Sequence, residues 1–211
     1  MRITILTDNK NSWFVEYGEK LEKVLRQKNH QVEYVFNKNE IKQGDICFLL
    51  SCSNIIEKSF LDLNKNNIVV HASDLPKGKG FAPLQWQIFE GKNDIPITLF
   101  EAVEAVDAGP YYIKSVIHYN GTELYDELRE ILSEKIIEMC AEFVDRYDEL
   151  KPIEQKGVES FYKRRTIKDD EIDIEKSIKE LFNHFRIADN QRFPVFFNYL
   201  GNKYIIKIEK E

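Results

Sequence analysis

The feature that most narrows the fold is a series of short β-branched runs separated by segments of a different period. Arg2–Thr7, Val32–Phe36, Ile46–Leu50 and Ile68–His71 have the composition of buried strands, whereas Val15–Gln27 carries its apolar residues at helical spacing. A short helical piece is expected over Ile55–Leu63. Leu84–Phe89 reads as a helix entered at Pro83, where a missing N–H costs nothing. Ile97–Glu101 and Tyr111–Tyr119 read as further strands, and Leu124–Tyr147 as a long amphipathic helix. Strands that alternate with helices are joined by crossovers. The expected fold class is therefore α/β, a Rossmann-like, mostly parallel twisted sheet with helices on both faces.

Past residue 150 the pattern changes. Lys151–Asp173 is charged and loop-rich, Ile174–Ile187 has helical spacing, and Val195–Tyr199 with Lys203–Lys207 flanks Leu200-Gly201-Asn202 as a hairpin. We expect a main domain over residues 1–150 and a C-terminal extension over 151–211, made of a loop, a helix and a β-hairpin. The 211 residues suffice for one core with such an appendage. The net charge is −6, without a dense Lys/Arg block, which argues against a nucleic-acid partner. No apolar run approaches a membrane span, and MRITILTD opens as a strand rather than a signal peptide. Cys47, Cys52 and Cys140 have no metal-ligand spacing, and so sparse a set suits a reducing, cytoplasmic setting. The loop Asp8–Trp13 lacks the glycine spacing of a dinucleotide site. In that loop Asn11 or Ser12 either simply caps the next helix or adds an anion site at its N-terminus.

Chemistry concentrates between Asn67 and Gly91, NIVVHASDLPKGKGFAPLQWQIFEG, and in VDAGP at Val106–Pro110. His71 ends a strand and Asp107 sits in a Gly-Pro turn, the places where an α/β sheet presents reactive groups. Singly, each has a plain structural reading: a hydrogen-bonded strand-end histidine, and an aspartate that caps its own turn. Together they suit an acid–base pair.

The combined motifs resemble the folate-dependent formyltransferases. His71, Ser73, Leu75-Pro76, Gly80, Ala82-Pro83, Trp86 and Asp107-Ala108-Gly109 take the places of that family's pattern. Phe161–Arg165, Asp170–Asp173 and Phe185–Asn190 with Pro194 are similar to the stretches that follow the core domain, and the resemblance runs from about Phe48 to the C-terminus. It implies that residues 1–150 form a catalytic domain that transfers a formyl group from N10-formyltetrahydrofolate to an amine. Attack on the formyl carbon develops charge on oxygen. His71 would donate to that oxygen, and Asp107 would balance the imidazole's charge or relay protons through water. Leu49, Leu50, Ser51 and Glu104 would border the folate. The family's asparagine two residues before the histidine is Val69 here, on the same strand face as His71. Another donor (Ser73, Ser53, Asn54 or Asn67) replaces it, or His71 acts alone, or the protein binds without catalysing.

On the acceptor side the resemblance is strongest to the short sugar N-formyltransferases, because the chain ends after a short hairpin and is acidic. The acceptor would be a nucleotide-linked amino sugar, in particular a UDP-4-amino-4,6-dideoxy sugar of pseudaminic-acid type. Asn9, Asp74, Lys77, Lys79, Arg164 and Arg165 would border it. Each has an alternative: Asp74 caps its loop, Lys77 and Lys79 are solvated, and the two arginines pair with Asp169, Asp170 or Glu171. The other functional readings are a folate or nucleotide-sugar binding protein and a formyltetrahydrofolate hydrolase. No metal or membrane contact is expected, and the long helix and hairpin suit a homodimer.

Overall fold

A computed structural model describes residues 1–211. The elements in chain order are β1 (Arg2–Leu6), α1 (Val15–Gln27), β2 (Gln31–Val35), β3 (Gly44–Leu49), α2 (Lys58–Leu61), β4 (Asn64–His71), β5 (Lys79–Gly80), α3 (Pro83–Phe89), β6 (Asp94–Glu101), β7 (Tyr111–His118), α4 (Tyr125–Asp145), β8 (Phe161–Tyr162), α5 (Ile178–Arg186), β9 (Val195–Tyr199) and β10 (Asn202–Ile206). Six of the strands form one sheet in the order β2-β1-β3-β4-β6-β7. The first three pairs are parallel. β6 runs antiparallel to both β4 and β7, so it alone opposes the other five. The sheet is mostly parallel, as expected, and one reversed strand places the site.

Alternation along the strands separates two packing faces. Ile3, Ile5, Ile46, Phe48, Leu50 and Ile68 join the large core, where Leu21 and Leu25 of α1, Leu84 and Ile88 of α3 and Leu128 to Val144 of α4 also pack. Leu6, Cys47 and Leu49 turn to the opposite face, where Val69 and the α2 residues Phe60 and Leu61 cover them. Helices therefore cover both faces. The helix expected over Ile55–Leu63 shrinks to the single turn Lys58–Leu61. Neither Asn11 nor Ser12 is the N-cap of α1. That position is Phe14, and the Ser12 hydroxyl accepts instead from the Phe14 N–H at 3.3 Å. No helix is long and apolar enough to cross a membrane.

Contacts run across residue 150. Tyr111 and Ile153 exchange backbone hydrogen bonds of 2.9 and 2.8 Å, and β5 pairs in parallel with β8, two short strands that periodicity does not reveal. Further on, Ser177 caps α5, and α5 closes against the body of the molecule through one buried arginine. Arg186 meets the Glu123 carboxylate at 3.1 Å and donates also to the Glu123 carbonyl and to the side-chain oxygens of Asn93 and Asn183. Burial pushes the Glu123 carboxyl up, but the Asn120 and Gly121 N–H groups and the Arg186 charge outweigh it and hold the carboxyl below its usual value.

A lowered carboxylate stabilises the fold fully above its unfolded pKa and loses that contribution as the pH falls through the folded value. Stability from this pair should therefore fade below about pH 4. Removing one partner leaves a buried charge unpaired, so Arg186→Met should cost about 3–5 kcal/mol in urea unfolding at neutral pH. A loss under 1 kcal/mol would contradict this account of the pair.

Candidate active site

His71 closes β4, and the chain then turns back on itself through Asp74–Pro76. This return sets the Gly78 carbonyl 2.8 Å from His71 Nε2. A carbonyl only accepts, so the bond places a proton on Nε2 and leaves Nδ1 as the ring nitrogen without a protein partner. Asp107 Oδ2 lies 3.9 Å from the same Nε2 and accepts the Gly80 N–H at 2.8 Å. The two side chains are 10% and 14% exposed, so the pair is largely desolvated yet reachable.

Asp107 reaches this point by an indirect path. β6 runs opposite to β4, and Glu101 at its end is level with Ile68, three residues short of His71. The loop after β6 must therefore double back along the sheet. Gly109 allows it: a Cβ there would lie 1.8 Å from the Glu101 carbonyl oxygen, so no side chain fits. Gly80 is similarly constrained, with φ of +97° and an added Cβ 2.5 Å from the Tyr162 carbonyl oxygen.

The turn is then pinned from a distance. Gln155 donates to the carbonyls of Asp107 (3.0 Å) and Gly109 (2.7 Å). The Ser160 hydroxyl accepts the Gly78 N–H at 2.9 Å, so residues 155–162 brace the loops that hold both His71 and Asp107. No pattern in the sequence marks Gln155, because its role exists only once the chain has crossed back.

Beside the pair opens a cavity of about 490 Å³. It is walled by Leu49 and Ser51 to Ile56, by Val69 and His71, by Gly80 to Gln85, by Ala102 to Asp107, and by Trp13 with Leu132 and Ile136. Three residues on its wall, Ser51 (φ +57°), Ala82 (φ +50°) and Asp107 (φ +50°), adopt left-handed backbone that side chains disfavour. Strain of that kind collects where a surface is shaped for a ligand. The largely apolar lining with a few polar groups at one end suits a flat organic ring system. Cys52 borders the cavity, but burial and then Asp8 push its thiol up to about 12, so it remains a thiol and not a nucleophile.

The expected site residues divide into two groups. His71, Asp107, Leu49, Ser51 and Glu104 all line the cavity. Leu50 does not: its side chain enters the large core, and its N–H and carbonyl are taken by the Leu6 carbonyl and the Thr7 hydroxyl. Lys79 is 2% exposed and tied to Glu159, so it is not a free cation for phosphate. Asp74 points to Lys114 at 2.6 Å, on the outer side of its loop. Arg165 is committed to Asp170 and the Ile187 carbonyl. Lys77 and Asn9 are exposed and lie off the cavity wall, the Asn9 side chain accepting from Asn11 N–H. Arg164 stacks its guanidinium 4.3 Å from the Phe81 ring, itself on the cavity wall.

Val69 lines the cavity where the resemblance puts an asparagine. Asn67 cannot substitute for it, being buried and bonded to Leu61 and Glu101, and Ser73 is buried off the wall. Of the four donors considered, only Ser53 and Asn54 reach the cavity, and the Asn54 amide already donates to Asp8.

Residues 6–140 match the formyl transferase family. The chain belongs to that family. Formyltetrahydrofolate is the one-carbon donor there, and an apolar cavity ending in a histidine–carboxylate pair fits it. The chain is 28% identical over 149 residues to a methionyl-tRNA formyltransferase of Protochlamydia amoebophila, an alignment over 68% of this chain and 46% of that protein. It thus spans about half the length of the curated relatives it matches. In fold, it superposes with a TM-score of 0.83 on a methionyl-tRNA formyltransferase from Clostridium thermocellum, at 21% identity, covering 100% of this chain and 93% of that one. A sugar N-formyltransferase from Shewanella superposes with a TM-score of 0.75 at 12% identity, covering 100% and 98%.

The Gln155 brace can be read without any ligand. Gln155→Leu should speed amide hydrogen exchange at Gly80, whose N–H rests on Asp107, by about tenfold, with strand β3 unaffected. Unchanged exchange at Gly80 would mean that the turn holds itself.

Proposed function

We propose that the protein transfers a formyl group from N10-formyltetrahydrofolate to the amine of a small, nucleotide-linked amino sugar. The observation that carries the transfer reading is the His71–Asp107 pair at the end of an apolar cavity. When bound, the folate supplies the formyl carbon; Leu49, Ser51, Val103 and Glu104 would border it. His71 holds its Nε2–H on the Gly78 carbonyl, so Nδ1 carries the lone pair that accepts a proton from the attacking amine, and once it has that proton it donates to the oxygen that gains charge. Asp107, fixed on the Gly80 N–H, holds negative charge beside the ring and offers a path for the proton. Val69 adds no donor, so the charge on oxygen falls to His71 and to water or backbone groups.

A sugar acceptor is supported by the charge of −6, unfavourable for a long polyanion. A UDP-linked 4-amino-4,6-dideoxy sugar remains our specific choice. The curated relatives favour a second reading, methionyl-tRNA as acceptor. The protein should be incubated with N10-formyltetrahydrofolate and, separately, with UDP- and dTDP-amino sugars and charged initiator tRNA, each followed by mass spectrometry. We expect one formyl mass on an amino sugar, reduced about 10²–10⁴-fold by His71→Ala and by Asp107→Ala. Formyl-methionyl-tRNA would decide for the second reading. Folate binding without turnover would make this a binding protein, and release of formate alone a hydrolase.

A further inference from the structure

One arginine in the molecule is largely buried and has no acceptor. Arg26, Arg146, Arg165 and Arg186 each rest on a carboxylate, and Arg2, Arg164 and Arg192 are exposed. Arg129 of α4 differs. Its guanidinium carbon is 4.0 Å from the Tyr125 ring centroid and 4.9 Å from that of Trp13, and its Nε is buried with no hydrogen-bond partner. Asp126, Asp189 and Arg192 are the charged groups around it, and neither aspartate comes within ion-pair distance. Burying a donor without an acceptor is costly, and an unpaired buried group in a native fold calls for a missing partner.

Its position indicates what that partner is. Arg129, Leu132 and Ile136 fall on one stripe of α4, and both apolar members of the stripe line the cavity, as does Trp13. Arg129 therefore stands one turn beyond the cavity wall, next to an aromatic that belongs to it. Two aromatic faces hold the guanidinium plane still, which leaves its outer N–H edge free for a bidentate anion. This wall is built by α4 and the loop after β1, not by residues 102–107.

We propose that Arg129 is an anion-binding residue at the edge of the cavity, where it takes a phosphoryl group of the acceptor. This deepens the acceptor side of the reading above and rests on it. Carboxylates of the folate share the same chemistry and are the competing source. The test uses the whole wild-type protein with labelled arginine side chains. The Arg129 Nε–H resonance is identified by its proximity to the Trp13 and Tyr125 ring protons, then followed while inorganic diphosphate is added, and in a second titration 5-formyltetrahydrofolate. A saturable shift with diphosphate and none with the folate analogue supports the proposal. A shift with the folate analogue alone, or with neither, overturns it. In turnover, Arg129→Met should raise KM for the acceptor about 10–100-fold and leave kcat and the KM for folate nearly unchanged. Equal KM values in the two proteins would assign Arg129 to stacking alone. The diphosphate titration needs no formyl transfer, so the two readings fail separately.

Discussion

Gly109 lies so close to the Glu101 carbonyl that a Cβ there would come within 1.8 Å of the oxygen, and on that approach the geometry of the site depends. β6 runs against the other strands, so its outgoing loop starts below His71 and has to climb back along the sheet. Only a residue without a side chain lets the turn press against the strand it has just left. Once it does, Asp107 meets the Gly80 N–H, and the histidine, the carboxylate and the cavity wall take up their positions together. The left-handed conformation of Asp107 is held in place from both sides, by Gly80 and by Gln155.

Much of the fold was legible because its strands and helices carry different periods. β1, α1, β2, β3, β4, β7 and α4 appear within a few residues of where periodicity puts them. The direction of β6 was not legible, since a strand's alternation is the same read either way. β5 and β8 are two residues each, too short for any period, and exist because the loops that carry them are brought together. Motif order picked out His71 and Asp107, which the fold does bring together, whereas the surroundings of several charged residues were not legible. Lysine is exposed by default, yet Lys79 is buried on Glu159. Arg165 took the ion-pair alternative, on Asp170, whereas the partner of Asp74, Lys114 on a distant strand, was marked by no spacing. Arg129 passed unnoticed because a single cation on a helix looks like a solvated surface residue until its neighbours prove aromatic.

The distribution of polarity around the cavity separates two tasks. The walls from Leu49, Ser51 to Ile56 and Ala102 to Val106 are mostly apolar, so they select a ligand by shape. The polar groups on the lining are few: Ser51, Ser53, Asn54, Gln85 and Glu104, with the His71–Asp107 pair. Val69 brings no amide to the wall beside His71, the imidazole whose tautomer the Gly78 carbonyl sets.

The brace from Gln155 to Tyr162 has a bearing on when the molecule becomes competent. Residues 1–145 contain the whole six-stranded sheet and α4, enough for a collapsed nascent chain to gain most of its core while still attached to the ribosome. Gly78, Gly80 and Asp107 nevertheless depend on partners about 50 to 80 positions downstream, contacts of high sequence separation that close slowly. The geometry around His71 and Asp107 is thus complete only when residues 155–162 dock onto a sheet that the chain before them already contains.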